Sequence, residues 1–70
     1  MNAEEMFKKL GYKKVQFGRL GNFSYERFSD DKYFIFDLNS KEIYVCEDCI
    51  TVEELRAINK QCEELGWKNV

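Results

Sequence analysis

The hydrophobic period of this chain changes twice, from about 3.6 residues to 2 and back to about 3.6, and few architectures accommodate that order. Near the N-terminus, Ala3, Met6, Phe7 and Leu10 fall at helical spacing behind Asn2, a capping residue followed three positions later by Glu5. Toward the other end, Ile50-Thr51-Val52-Glu53-Glu54-Leu55 supplies Thr51 as N-cap, Glu54 as the returning carboxylate of a capping box, and Ile50 against Leu55 as a hydrophobic staple. Leu55, Ile58, Cys62 and Leu65 then continue one apolar face. Both patterns stop at the same signature, Leu10-Gly11-Tyr12 and Leu65-Gly66-Trp67. A glycine there can take the left-handed conformation that ends a helix, and Tyr12 is expected to pack back on Phe7.

Between the two helices lie four alternating segments, Lys13–Phe17, Phe23–Phe28, Lys32–Leu38 and Glu42–Cys46, separated by residues 18–22, 29–31 and 39–41, all rich in turn formers. Parallel strands need crossovers of roughly a dozen residues or more, so links this short predict an antiparallel meander. If Phe28 faces Tyr33, then Tyr25 faces Phe36 and Phe23 faces Leu38; if Phe17 faces Phe23, then Val15 faces Tyr25. The third hairpin admits a loop of two or four residues without changing which side chains share a face. One side of the sheet then carries Val15, Phe17, Phe23, Tyr25, Phe34, Phe36, Leu38, Ile43 and Val45, and two helices with one apolar stripe each are the cover it needs. The expected fold is a single α+β domain over residues 1–70, a four-stranded antiparallel meander in the order αββββα with both helices packed on one face.

The reverse side is expected to hold Lys14 opposite Glu26, a pair suited to a wet surface, together with Phe28, Tyr33, Ile35 and Tyr44. Those four make a patch of large groups for which the sequence offers no third layer, which points to a surface for a partner or for self-association, a homodimer included.

Absent residue types narrow the chemistry. There is no histidine, so the commonest proton-transfer group near neutral pH and the usual activator of Ser or Cys are missing. The four glycines form neither GxGxxG nor GxxxxGK[ST]. The expectation is a protein without enzymatic activity and without a cofactor. Three cysteines are too few for a disulfide framework. Cys46-Glu47-Asp48-Cys49 with Cys62 lacks a fourth zinc ligand, and the cap at Thr51 falls after the second cysteine, where a redox pair would precede the helix. Three unlinked thiols and no metal are expected. No apolar run approaches the ~20 residues of a membrane span, and the acidic, polar start is unlike an export signal, so a cytoplasmic location is expected, with no membrane partner.

Charge is uneven, with seven basic against five acidic side chains over residues 1–36 and the opposite bias after them, while the whole chain carries −2. Lys8, Lys9, Lys13 and Lys14 make a basic corner, short of the arginine-interleaved stripe that nucleic-acid binding requires. Glu47, Asp48, Glu53 and Glu54 surround the start of the second helix, where negative charge is favourable.

The helical segments Ala3-Glu4-Glu5-Met6-Phe7-Lys8-Lys9-Leu10-Gly11-Tyr12, Ile50 to Lys60 and Glu63-Glu64-Leu65-Gly66-Trp67 resemble small proteins encoded by phages and prophages of Gram-positive bacteria. The resemblance covers both helices and, in the strands, only the hydrophobic pattern. It implies an accessory protein acting in the host cell by stoichiometric binding to a host or defence protein, as anti-CRISPR and related inhibitors do. Phe28, Tyr33, Ile35 and Tyr44 are the expected partner-binding residues. The alternative is a small oligomeric module binding a nucleic acid or signalling nucleotide, with Lys13, Lys14 and Arg19 near the phosphates.

Overall fold

The structure, a computed structural model, describes residues 1–18, 21–46 and 49–67. Arg19, Glu47 and Asp48, which enter the expectations above, lie outside the described residues. The chain runs α1 (Ala3–Lys9), β1 (Lys13–Gln16), β2 (Phe23–Arg27), β3 (Lys32–Asp37), β4 (Glu42–Val45) and α2 (Val52–Glu64). The strands pair in chain order, each with its neighbour and all antiparallel, which is the meander the short links require.

Local chemistry sets both helix boundaries. Asn2 Oδ1 accepts from the Glu5 N–H at 2.8 Å while the Glu5 carboxylate accepts from the Asn2 N–H at 2.9 Å. Thr51 and Glu54 form the same reciprocal pair at the start of α2. At the far end of α1, the Tyr12 N–H donates to Phe7 O and the Gly11 N–H to Lys8 O, with Gly11 at φ +91°. Trp67 and Gly66 repeat this pattern on Cys62 O and Glu63 O. The accompanying ring contact is present in α1, where Phe7 and Tyr12 meet edge-on with centroids 5.7 Å apart.

The strands are each one residue shorter than their alternating patterns, and two registers differ from expectation. Phe23 pairs with Phe36 and Tyr25 with Phe34, so Phe28 is not opposite Tyr33 but lies in the four-residue loop between β2 and β3. A shift of two residues leaves the faces of β3 unchanged. In the first hairpin the shift is one residue: Lys13 pairs with Glu26, Lys14 with Tyr25 and Val15 with Ser24. That exchanges the faces of β1. Val15 and Phe17, expected under the helices, belong to the opposite side, and Phe17 is 43% exposed. Lys14 takes the inner position, its ammonium 4.5 Å from the centre of the Phe23 ring. The third hairpin has the four-residue loop, closed by Asp37 Oδ1 accepting from the Asn39 and Ser40 N–H groups.

The core is built around Phe7, which is fully buried and stacked on Tyr25 with centroids 3.9 Å apart. Phe34, Phe36 and Tyr12 surround it. From α2, Glu54 reaches Lys32 and Gln61 reaches Tyr25. Tyr25, Lys32, Phe34 and Phe36 share one parity of β2 and β3, so these contacts from α1 and α2 fall on the same sheet surface.

The helical stripe read from the sequence is rotated in the fold. The buried residues of α2 are Glu54, Ala57, Ile58 and Gln61, whereas Leu55 is 44% exposed and Cys62 and Leu65 are half-buried. The staple residue Ile50 is 37% exposed, and Val45, on the inner parity of β4, is 41% exposed. Two polar side chains displace Leu55 because each has a partner already buried in the sheet layer.

Candidate functional site

Two features of the fold could carry function: the sheet face away from the Phe7 core, and the polar cluster around Glu54. On the outer face, Val15, Ser24, Ile35 and Tyr44 form one row across all four strands, with Lys13, Glu26 and Tyr33 in the next. Tyr33 and Tyr44 are 38% and 49% exposed and Ile35 is half-buried between them. The Tyr44 hydroxyl donates to Glu42, which raises the phenol above its ordinary pKa and fixes the ring along β4. The Tyr33 N–H donates to Cys46 Sγ at 3.0 Å. Phe28, at the β2–β3 turn, is 67% exposed and borders with Tyr33, Arg27 and Asp31 a shallow hollow of about 230 Å³. Tyr33, Ile35 and Tyr44 thus share one surface, with Phe28 at its end. Phe17 and Val15 extend it, and the one-residue slip in the β1 register is the reason the alternation pattern missed them.

The centre of this face is not uniformly wet. Ser24 is buried, its hydroxyl donating to Glu26 at 2.8 Å. Lys13, not Lys14, stands opposite Glu26. Lys13 and Lys14 nevertheless both border a hollow of about 450 Å³ shared with Lys8, Tyr12 and Glu4.

The Glu54 cluster was not legible in the sequence beyond its capping role. This carboxylate, 2% exposed, accepts from the Tyr12 hydroxyl at 2.7 Å, the Lys32 ammonium at 2.8 Å and the Thr51 N–H at 2.9 Å, with Arg27 at 3.8 Å. Arg27 also donates to Leu10 O, forms an ion pair with Asp30 and covers the Tyr12 ring. Among the described residues, no buried side-chain polar atom lacks a partner. The cluster therefore ties α2 to the start of β3 and to the end of α1, with Glu54 engaged by three donors inside the fold.

Burial would raise the Glu54 carboxyl, but the hydrogen bonds from Lys32, Tyr12 and Thr51 outweigh it and hold the group below its ordinary value. Burial, then the bond to Glu54, raises Tyr12; burial raises Tyr25; the bond to Glu54 raises Lys32. A depressed acid stabilises above its unfolded value and loses that contribution as pH falls through the folded value. The raised groups stabilise fully below their unfolded values and lose that contribution as pH climbs. Thermal unfolding should accordingly show a plateau, a loss below about pH 4 and a steeper loss above about pH 10, where an unfolded chain ionises Tyr and then Lys. Tyr12→Phe should reduce the alkaline slope; an unchanged slope would remove Tyr12 from this role.

The thiols are unlinked: Cys46 and Cys62 half-buried, Cys49 exposed, with burial raising the Cys62 thiol. Among the described residues, no group of three His, Cys, Asp or Glu side chains could hold a metal ion. No described helix is long and apolar enough to cross a membrane. Compared with known proteins, the chain matches no family model, no curated protein and no solved structure.

Proposed function

We propose that this chain is a non-enzymatic binding protein that engages another protein through the outer face of its sheet. The observation that carries the reading is the shared placement of Tyr33, Ile35 and Tyr44 on one surface, with two half-exposed phenols and Phe28 at its margin. Aromatic side chains anchor interfaces because they bury large areas while losing little rotamer entropy. The Glu54 cluster supports the non-enzymatic part, since the carboxylate bonds Tyr12, Lys32 and Thr51 and so holds the fold together. The helical resemblance to small phage and prophage proteins supports a host or defence protein as the partner, an inhibitory outcome of the anti-CRISPR kind, and action inside the host cell.

Tyr33→Ala with Tyr44→Ala should leave the melting temperature nearly unchanged and abolish capture of the partner by tagged protein from infected-host lysate. Unfolding of the variant would make the two tyrosines part of the core, and undiminished capture would place the interface elsewhere. A second reading, binding of a phosphate-bearing nucleic acid or nucleotide, is favoured by the three lysines around the Glu4 hollow, Lys8, Lys13 and Lys14. Salt separates the two: a phosphate complex weakens steeply with ionic strength, whereas contacts of tyrosine and isoleucine barely respond.

A further inference from the structure

The two edges of the sheet differ. The first two residues of β1 are lysines and α1 is in contact with the strand, features that resist pairing at that edge. Along β4 the three consecutive residues Ile43, Tyr44 and Val45 carry no charge. Its inner-parity residue Val45 is 41% exposed. The Cys46 N–H donates to Tyr33 O, so by antiparallel alternation Tyr44 and Glu42 also bond inward to β3. Ile43 and Val45 therefore direct their backbone N–H and C=O groups away from the sheet, a spacing that another extended strand satisfies.

We infer that β4 is the docking edge for a second copy of this chain, the two β4 strands pairing antiparallel about a two-fold axis at Tyr44. With Tyr44 opposite its twin, Ile43 of each copy pairs with Val45 of the other, and both pairs are of the hydrogen-bonded kind. Sliding the register by two residues sets Val45 opposite Lys41 or carries Ile43 past the end of the partner's β4, so the Tyr44-centred register is the one in which both apolar residues meet apolar residues of the strand. The charges are complementary in the same arrangement. Lys41 is exposed at the turn end of β4. The Glu54–Lys32 bond holds the first turn of α2, with exposed Glu53, over the opposite end of the sheet. An antiparallel two-fold therefore brings Lys41 of each copy toward Glu53 of the other. The product is an eight-stranded sheet whose outer faces join at Tyr44, which widens the surface assigned above without depending on that assignment.

The test uses the full chain under reducing conditions, with sedimentation velocity and amide exchange across a dilution series. At about 1 mM the mass should be that of two chains, and the Ile43 and Val45 amides should be protected along with that of Tyr44. On dilution the mass should halve, and Ile43 and Val45 alone among these should lose protection. Val45→Lys should give the mass of one chain at all concentrations with the Tyr44 amide still protected. Should that variant fail to fold, Lys41→Glu should weaken the dimer and Lys41→Glu with Glu53→Lys should restore it. A single chain at about 1 mM, which would leave the edge to a strand of some other protein, overturns the proposal. So does a dimer in which the Ile43 and Val45 amides exchange as freely as they do on dilution.

Discussion

Glu54→Gln should remove about 3–5 kcal/mol from the unfolding free energy, because it leaves a buried ammonium without its counter-charge. Gln serves the N3 position of a capping box, its one oxygen accepting from the Thr51 N–H, while its NH2 takes the place of the oxygen that Tyr12 bonds and donates to that hydroxyl, so the change removes the charge and reverses one bond. Lys32 is 7% exposed, whereas Arg27 keeps its ion pair with Asp30. A chain of this length has a total stability of only about 3.5–10 kcal/mol, so the variant should be largely unfolded on warming. Lys32→Met in the Glu54→Gln background should recover most of the loss, since replacing both members of a buried pair is often neutral. Urea unfolding with unchanged denaturant slope is the measurement. A loss within about 0.5 kcal/mol for Glu54→Gln would show that the pair is solvated and the cluster incidental.

Phe7→Ala should cost a similar amount, about 3–5 kcal/mol, for a different reason. The ring lies at 0% exposure between Tyr25, Phe34, Phe36 and Tyr12, and these belong to three separate chain segments that cannot all collapse inward. Alanine's better helix propensity returns at most about 0.7 kcal/mol. Leu55→Ala is the natural contrast. The apolar stripe of the sequence places Leu55 in the core, where truncation costs about 2–5 kcal/mol, but at 44% exposure the change should stay below about 1 kcal/mol. Comparable losses for Phe7→Ala and Leu55→Ala would restore the unrotated helix.

These two variants mark where the sequence was legible. Caps and helix ends were readable because their hydrogen bonds join residues three to five positions apart, as in Asn2 with Glu5 and Phe7 with Tyr12. The strands and their antiparallel order followed from alternation and link length. The face of α2 did not, because Glu54 and Gln61 are buried by partners 42 and 36 positions away, the hydroxyls of Tyr12 and Tyr25. A count of apolar side chains cannot anticipate a polar group that is satisfied at that distance. The face of β1 failed for another reason. The link to β2 is long enough to leave the register open, and Lys14 can occupy an inner position by laying its ammonium on the Phe23 ring. On the candidate surface, Tyr33, Ile35 and Tyr44 were readable from the parity of β3 and β4, while Val15 and Phe17 were hidden by that slip in β1.

The proposed function rests on the outer sheet face as the surface that meets another protein. Site-specific photocrosslinking in living cells tests this most directly, with a benzophenone side chain at Tyr33 on that face and, in a second variant, at exposed Glu63 on α2. The expected result is a discrete adduct to a different protein from position 33 and none from position 63. Adducts from position 63 alone would contradict the account and turn the binding surface to the helices.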